Sequence, residues 1–173
     1  YILSVYCYKG PKMSDKKEEY QASVPPKMVI RNQFIKDLSF ENIAAQNGLK
    51  SEDLTPDIKV EVTLEAKKRP IKNEYDVIIK TTISSETKTT KEMLFMLEID
   101  YGGIFEITNI PEDQLHPYLL IECPRILFPY LRRIISDITR DGGYPSLNLD
   151  QIDFLSMYKA ELNKKTPTNS KIN

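Results

Sequence analysis

The catalytic chemistry open to this chain is bounded by one histidine, His116, and two cysteines, Cys7 and Cys123. With no second histidine, a zinc site at His116 would need carboxylates alone, and a lone histidine is ordinarily a packed or surface residue. Cys123 precedes an expected helix start, a position that can lower a thiol pKa. A small buried thiol at a packing surface is the commoner role for such a residue. The two cysteines lie far apart and read as free thiols of a reducing compartment. Neither G-x-x-x-x-G-K-[ST] nor G-x-G-x-x-G occurs, and Gly102-Gly103 and Gly142-Gly143 read as turn chemistry at element ends. The carboxylates of Glu112-Asp113 are open to acid/base use, although nothing around them suggests a pocket. The expectation is no enzyme, no cofactor and no metal, with function lying in surfaces.

Charge patterning points the same way. From Glu92 to Pro124 the chain carries seven carboxylates (Glu92, Glu98, Asp100, Glu106, Glu112, Asp113 and Glu122) and no Lys or Arg. Asp37 and Glu41 share one face of an expected strand, because side chains two and four apart point the same way, and Glu98 joins them if neighbouring strands pair. An acidic sheet face attracts a basic partner; a solvated face kept charged for solubility is the plainer alternative. The apolar residues pose a second question. Ile126, Leu127, Tyr130, Leu131, Ile134, Ile135 and Ile138 recur at helical spacing, and residues 93–97 (MLFML) are apolar on both sides of a strand. That exceeds what one small sheet must cover, so a second subunit is expected over the helix.

The elements that must position these residues belong to one domain. The chain has 173 residues, 40% hydrophobic and 28% charged, with ten Tyr, six Phe and no Trp. Its net charge of −1 offers no basic field for nucleic acid. No run approaches the ~20 apolar residues that span a membrane. Residues 1–28 are charged and Pro-broken and are expected to be disordered, as is the tail 163–173, leaving 29–162 as the folded domain. Residues 1–8 (YILSVYCY) lack the preceding positive charge of a signal peptide, and Met13-Ser14-Asp15 reads as a natural start, so residues 1–12 are expected to be an upstream extension of a cytoplasmic protein.

Strict alternation of Ile58, Val60, Val62, Leu64 and Ala66 with charged or polar neighbours predicts a half-buried strand over 58–67. Further strands are predicted at 75–83, after a Pro70…Asn73 turn, and at 93–101, after a polar turn at 84–90 and stopping at Gly102-Gly103. An earlier strand at 30–40 carries Phe34, Leu38 and Phe40 on one face, and 42–56 forms a crossover. A long helix near 124–140 follows, with Pro124 in its first turn, Pro129 kinking or delaying it and Gly142-Gly143 stopping it. A second helix is predicted at about 150–163, capped by Asp150 with Asp153, and with Ile152, Leu155, Tyr158 and Leu162 on one side. Strands first and helices last give an α+β fold with a four-stranded antiparallel sheet.

Three blocks, in order, carry a resemblance: Gly102-Gly103-Ile104-Phe105; Cys123-Pro124-Arg125-Ile126-Leu127-Phe128-Pro129-Tyr130; and Tyr144-Pro145-Ser146-Leu147-Asn148-Leu149. Together with the strand layout before them, they resemble the SecB protein-export chaperone family over about residues 33–162. The resemblance implies a cytoplasmic chaperone without nucleotide or metal that binds unfolded precursors and delivers them to the SecA translocase. It further implies a homotetramer, a dimer of dimers with the long helices between two sheets, which places Ile134 and Ile138 at the tetramer interface. The family's SecA-facing positions match Asp37, Glu41, Met96 and Glu98. Its client groove matches Leu54, Ile58, Val60, Val62, Phe154 and Met157, with Leu54 where relatives often place Trp. Gln151 replaces a Pro common before the last helix. Two alternatives stay open: a SecB-like holdase serving a non-export system such as toxin–antitoxin, and a small acid/base enzyme using the 92–122 carboxylates.

Overall fold

The computed structural model describes residues 25–48 and 56–165. Strand β1 (Lys27–Glu41) leads through the short helix α1 (Ile43–Asn47) to β2 (Pro56–Lys68), β3 (Glu74–Thr87) and β4 (Met93–Thr108). Helices α2 (Glu112–Asp141) and α3 (Phe154–Lys165) follow. The four strands form one antiparallel sheet in the order β1-β4-β3-β2. Consecutive hairpins join β2, β3 and β4, while the predicted crossover carries β1 to the far side of β4. The described strand starts at Lys27, inside the stretch expected to be disordered, because Met28 packs against the core. Residues 1–24 and 166–173 lie outside the described residues.

Period-two alternation places Val77, Ile79, Thr81 and Ile83 of β3 on the same face as Gly103, Tyr101, Ile99 and Leu97 of β4. This inner face is buried under α2, whose residues Leu119, Cys123, Leu127, Leu131, Ile135 and Thr139 form a stripe at four-residue spacing. Cys123 is wholly buried with its Sγ 3.7 Å from Met28 Sδ, and desolvation pushes the thiol up to about 12. The buried-thiol reading therefore describes it, and its thiolate is suppressed.

Several local expectations need correction. Strand β4 runs straight through Gly102-Gly103 to Thr108. The glycines make no turn; a Cβ at Gly103 would stand 3.0 Å from Leu127 Cδ2 and 3.2 Å from the Asn32 carbonyl, so the bare backbone is what lets α2 seat on the sheet. A Cβ at Gly102, on the outer face, would meet Ile78 Cδ1 and Phe34. Phe34 is thus on the opposite face from Leu38 and Phe40, because a register break between Ile35 and Asp37 makes Lys36 an extra residue.

Helix α2 begins at Glu112, twelve residues before Pro124, and keeps Pro117, Pro124 and Pro129 inside it. The carbonyls left without partners by Pro117 and Pro129 belong to Asp113 and Arg125, both exposed, so water can replace the missing N–H. Glu112 and Asp113 suit the positive end of the helix dipole. Helix α3 begins at Phe154, and its cap is Asp153, which accepts from the Ser156 N–H at 3.0 Å and from the Ser156 hydroxyl at 2.7 Å. Those bonds hold the Asp153 carboxyl below its ordinary range. Leu155 points outward, and Lys165 extends the helix past the expected tail boundary.

Candidate interaction surfaces

The sheet brings the predicted acidic residues together. On the outer face Asp37 pairs with Asp100, Ser39 with Glu98 and Glu41 with Met96. Asp37, Glu41, Met96 and Glu98 therefore form one corner of adjacent β1 and β4, with the thioether between two carboxylates. Asp37, Glu41 and Glu98 are exposed and Met96 is half-buried. Asp37 Oδ1 accepts from the Leu38 N–H at 2.9 Å. Among the described residues, none of these three carboxylates makes an ion pair. Three other carboxylates of the acidic run have cationic partners: Asp100 lies 3.9 Å from Lys36 Nζ and 3.8 Å from Lys80 Nζ. Glu106 pairs with Arg31, and Glu122 with Arg125 at 2.6 Å. Sequence reading missed Lys36 and Lys80, since only the register brings them to this face.

The predicted groove residues divide. Ile58, Val60 and Val62 lie on the inner face of β2, an edge strand hydrogen-bonded within the described sheet only to β3. Helix α2 does not cover this margin, so Ile58 and Val60 remain more than a third exposed. Between β2 and the C-terminal segment run two adjoining hollows that share Val62 and Met157. One, of about 450 Å³, continues past Val60 to Leu147 and Ile152. The other, of about 400 Å³, continues past Leu64 to Leu120, Tyr158 and Leu162. Leu64 was legible from the same alternation as Val60 and Val62; Leu120 was not, because the start of α2 had been placed beyond it.

Phe154 is a correction. It is wholly buried, edge-on to Phe128 at a 5.9 Å centroid distance and 76°, and so anchors α3 beneath the groove instead of lining it. Leu54 lies outside the described residues.

Glu112, Asp113 and His116 all stand in the first two turns of α2. His116 Nδ1 lies 3.1 Å from the Tyr158 hydroxyl at one end of the groove. Among the described residues no group of three or more His, Cys, Asp or Glu could hold a metal ion. On α2, Ile134 and Ile138 are half-buried and Tyr130 is exposed, leaving an apolar strip on the side away from the sheet centre. No helix of the described residues is long and apolar enough to cross a membrane.

The family model for the preprotein translocase subunit SecB matches residues 21–165. The chain belongs to the SecB family. A protein of Cereibacter sphaeroides named protein-export protein SecB is 53% identical over 146 residues, covering 84% of this chain and 88% of its own. One of the same name from a Ruegeria species is 59% identical over 138 residues, covering 80% and 84%. The fold also matches the SecB-like chaperone of Mycobacterium tuberculosis, solved with a ChAD peptide from an antitoxin. That match has a TM-score of 0.58 at 16% identity, over 72% of this chain and 90% of the other. At that identity the likeness concerns the fold alone, and it agrees with the α+β architecture derived from the strand and helix periods.

Proposed function

We propose that this SecB-family chain is a cytoplasmic export chaperone that holds unfolded precursors in the β2 groove, keeps them translocation-competent and delivers them to SecA from the acidic corner. It works as a homotetramer, a dimer of dimers closed over the apolar strip of α2. The observation that carries the reading is the groove itself: an apolar channel along the edge of β2 that has no strand partner among the described residues, flanked by Val60, Val62, Leu64 and Met157. An unfolded chain exposes many apolar side chains and a folded one few, so such a channel selects by folding state and not by sequence. The unpaired backbone of an edge strand adds hydrogen bonds that any extended client can make. Each contact contributes modestly, at roughly 25 cal/mol per Å² of apolar area covered, but contacts repeat along a wrapped client. Release then follows from SecA competing for the precursor, with no nucleotide hydrolysis by the chaperone.

The test is suppression of aggregation of a slowly folding precursor, with its folded form as control. Val60→Ser together with Met157→Ser should abolish protection while the assembly and its unfolding midpoint stay close to the parent's. Equal protection by parent and variant would remove the groove from the mechanism, and tight binding of the folded control would remove selection by folding state. Reversing Asp37, Glu41 and Glu98 to Lys should leave protection intact and abolish SecA binding. Normal SecA binding by that variant would make the corner a solvated surface only.

A further inference from the structure

The outer face of the sheet is acidic in sequence, yet its charge is unevenly spent. Of the three carboxylates on β4, Glu106 holds Arg31 and Asp100 stands between Lys36 and Lys80, while Glu98 makes no ion pair among the described residues. Lys80 also holds Glu65 at 2.9 Å, and Lys59 holds Glu61 at 2.6 Å. Lys36 reaches this face because it is the extra residue at the β1 register break. Cations on β1, β3 and β2 thus bound the open carboxylates Asp37, Glu41 and Glu98. A shallow polar hollow of about 230 Å³ lies along that boundary, lined by Asp37, Glu61, Lys80, Thr82, Glu98 and Asp100.

We infer that Lys36 and Lys80 delimit the docking corner, confining its free negative charge to Asp37, Glu41 and Glu98 around Met96 and so fitting it to a partner segment with an apolar side chain flanked by two cationic ones, not to a continuous polybasic run. The inference rests on the proposed use of this corner as a docking face. A cationic side chain arriving at Glu41 or Glu98 meets an unopposed carboxylate and can set an apolar neighbour on Met96. One displaced toward β3 meets Asp100 already neutralised and two lysines within a Debye length, which is about 8–10 Å at moderate salt. A long basic run must place some of its charges there, and like charges brought together suppress wrong partners.

The test uses the whole protein and two synthetic peptides, one with a leucine between two lysines and one with six consecutive lysines, alongside SecA itself. The parent should bind the leucine peptide in preference. Lys36→Met with Lys80→Met should strengthen binding of hexalysine by about tenfold at low salt, with a steeper salt dependence, and change the leucine peptide far less. Lys36→Arg with Lys80→Arg should behave as the parent. Asp100→Asn should alter SecA binding less than about twofold, whereas Glu98→Gln should weaken it about fivefold, in line with one exposed charge contact.

Unchanged hexalysine binding in the double Met variant would overturn the inference, as would equal losses from Asp100→Asn and Glu98→Gln. The two failures are separable. If Glu41→Gln and Glu98→Gln bind SecA as the parent does, the docking reading falls; if they weaken it while the lysine variants change nothing, only the boundary falls.

Discussion

On the inner face of the sheet, Val77, Ile79, Ile83, Leu97 and Ile99 are at most 1% exposed beneath α2, while Ile35 and Leu38 at one margin and Ile58 and Val60 at the other stay between 37% and 45% exposed. The outer face of the same strands has a different organisation. There the positions alternate with the core residues and carry lysines and carboxylates whose pairing depends on which strands are neighbours. Burial energy is graded and non-directional, so the inner face shades continuously from core to apolar margin, and the uncovered margin is free to take another chain. Charge is discrete, so the outer face is defined by which few carboxylates make no ion pair among the described residues. In the proposed function, one surface recognises by area and the other by count.

The sharpest way to break that comparison is at the junction of core and groove. Phe154 belongs to the packed side of the boundary and Met157, one turn later, to the open side. Phe154→Ala should cost about 3–5 kcal/mol of stability, since it empties a wholly buried aromatic site. A double-mutant cycle with Phe128→Ala should return a coupling of about 0.5–1.5 kcal/mol for the edge-on ring pair. Urea unfolding measures both. A Phe154→Ala protein of parental stability that has lost only client protection would instead put the ring in the groove wall.

The second test concerns the apolar strip of α2. In the proposed assembly, Ile134→Asp or Ile138→Asp sets an unpaired charge in an apolar interface, at a cost on the order of 3–5 kcal/mol. Sedimentation should report about four times the 20.0 kDa chain mass for the parent and a smaller particle for either variant. A variant that keeps the parent's mass would assign the strip to some other use. Both side chains are only half-buried in the single chain, so the fold of each subunit should survive better than in Phe154→Ala.

The inner face was far more legible in the sequence than the outer one. Alternation in 58–67 and the three-and-four spacing of Ile126 to Ile138 follow from local geometry, and both elements form where those periods put them. Two errors came from residues whose local preference was overridden by their surroundings. Gly102-Gly103 has turn composition, yet it sits mid-strand because α2 needs the missing side chain at Gly103. Three prolines argue against a continuous helix from Glu112, yet at two of them the unpartnered carbonyls belong to exposed residues. Phe154 was assigned to the groove by the family resemblance, which matches positions along the chain and carries no information on depth. On the outer face, the grouping of Asp37, Glu41 and Glu98 was legible from period two. The neutralisation of Asp100 was not, because it requires the β1-β4-β3 order and a bulge at Lys36, neither of which leaves a local mark.

The smallest expected effect sharpens the comparison from the outer side. Among the described residues Asp37, Glu41 and Glu98 have no ion pair to lose, and Asp37 loses its bond to the Leu38 N–H on reversal. Each of the three changes to Lys should therefore move the unfolding free energy by no more than about 0.5 kcal/mol, the usual range for a surface site. Asp100→Lys is the same chemical change one row away and should behave differently. It would replace the shared carboxylate of Lys36 and Lys80 with a third ammonium group, turning two attractive contacts into repulsive ones. Its unfolding midpoint should fall below that of the triple variant at low salt and recover as added salt screens the cluster. Equal midpoints for the two proteins at every salt concentration would mean that Asp100 is no more engaged than its neighbours, and the outer face would then be a uniform acidic surface with no distinct open corner.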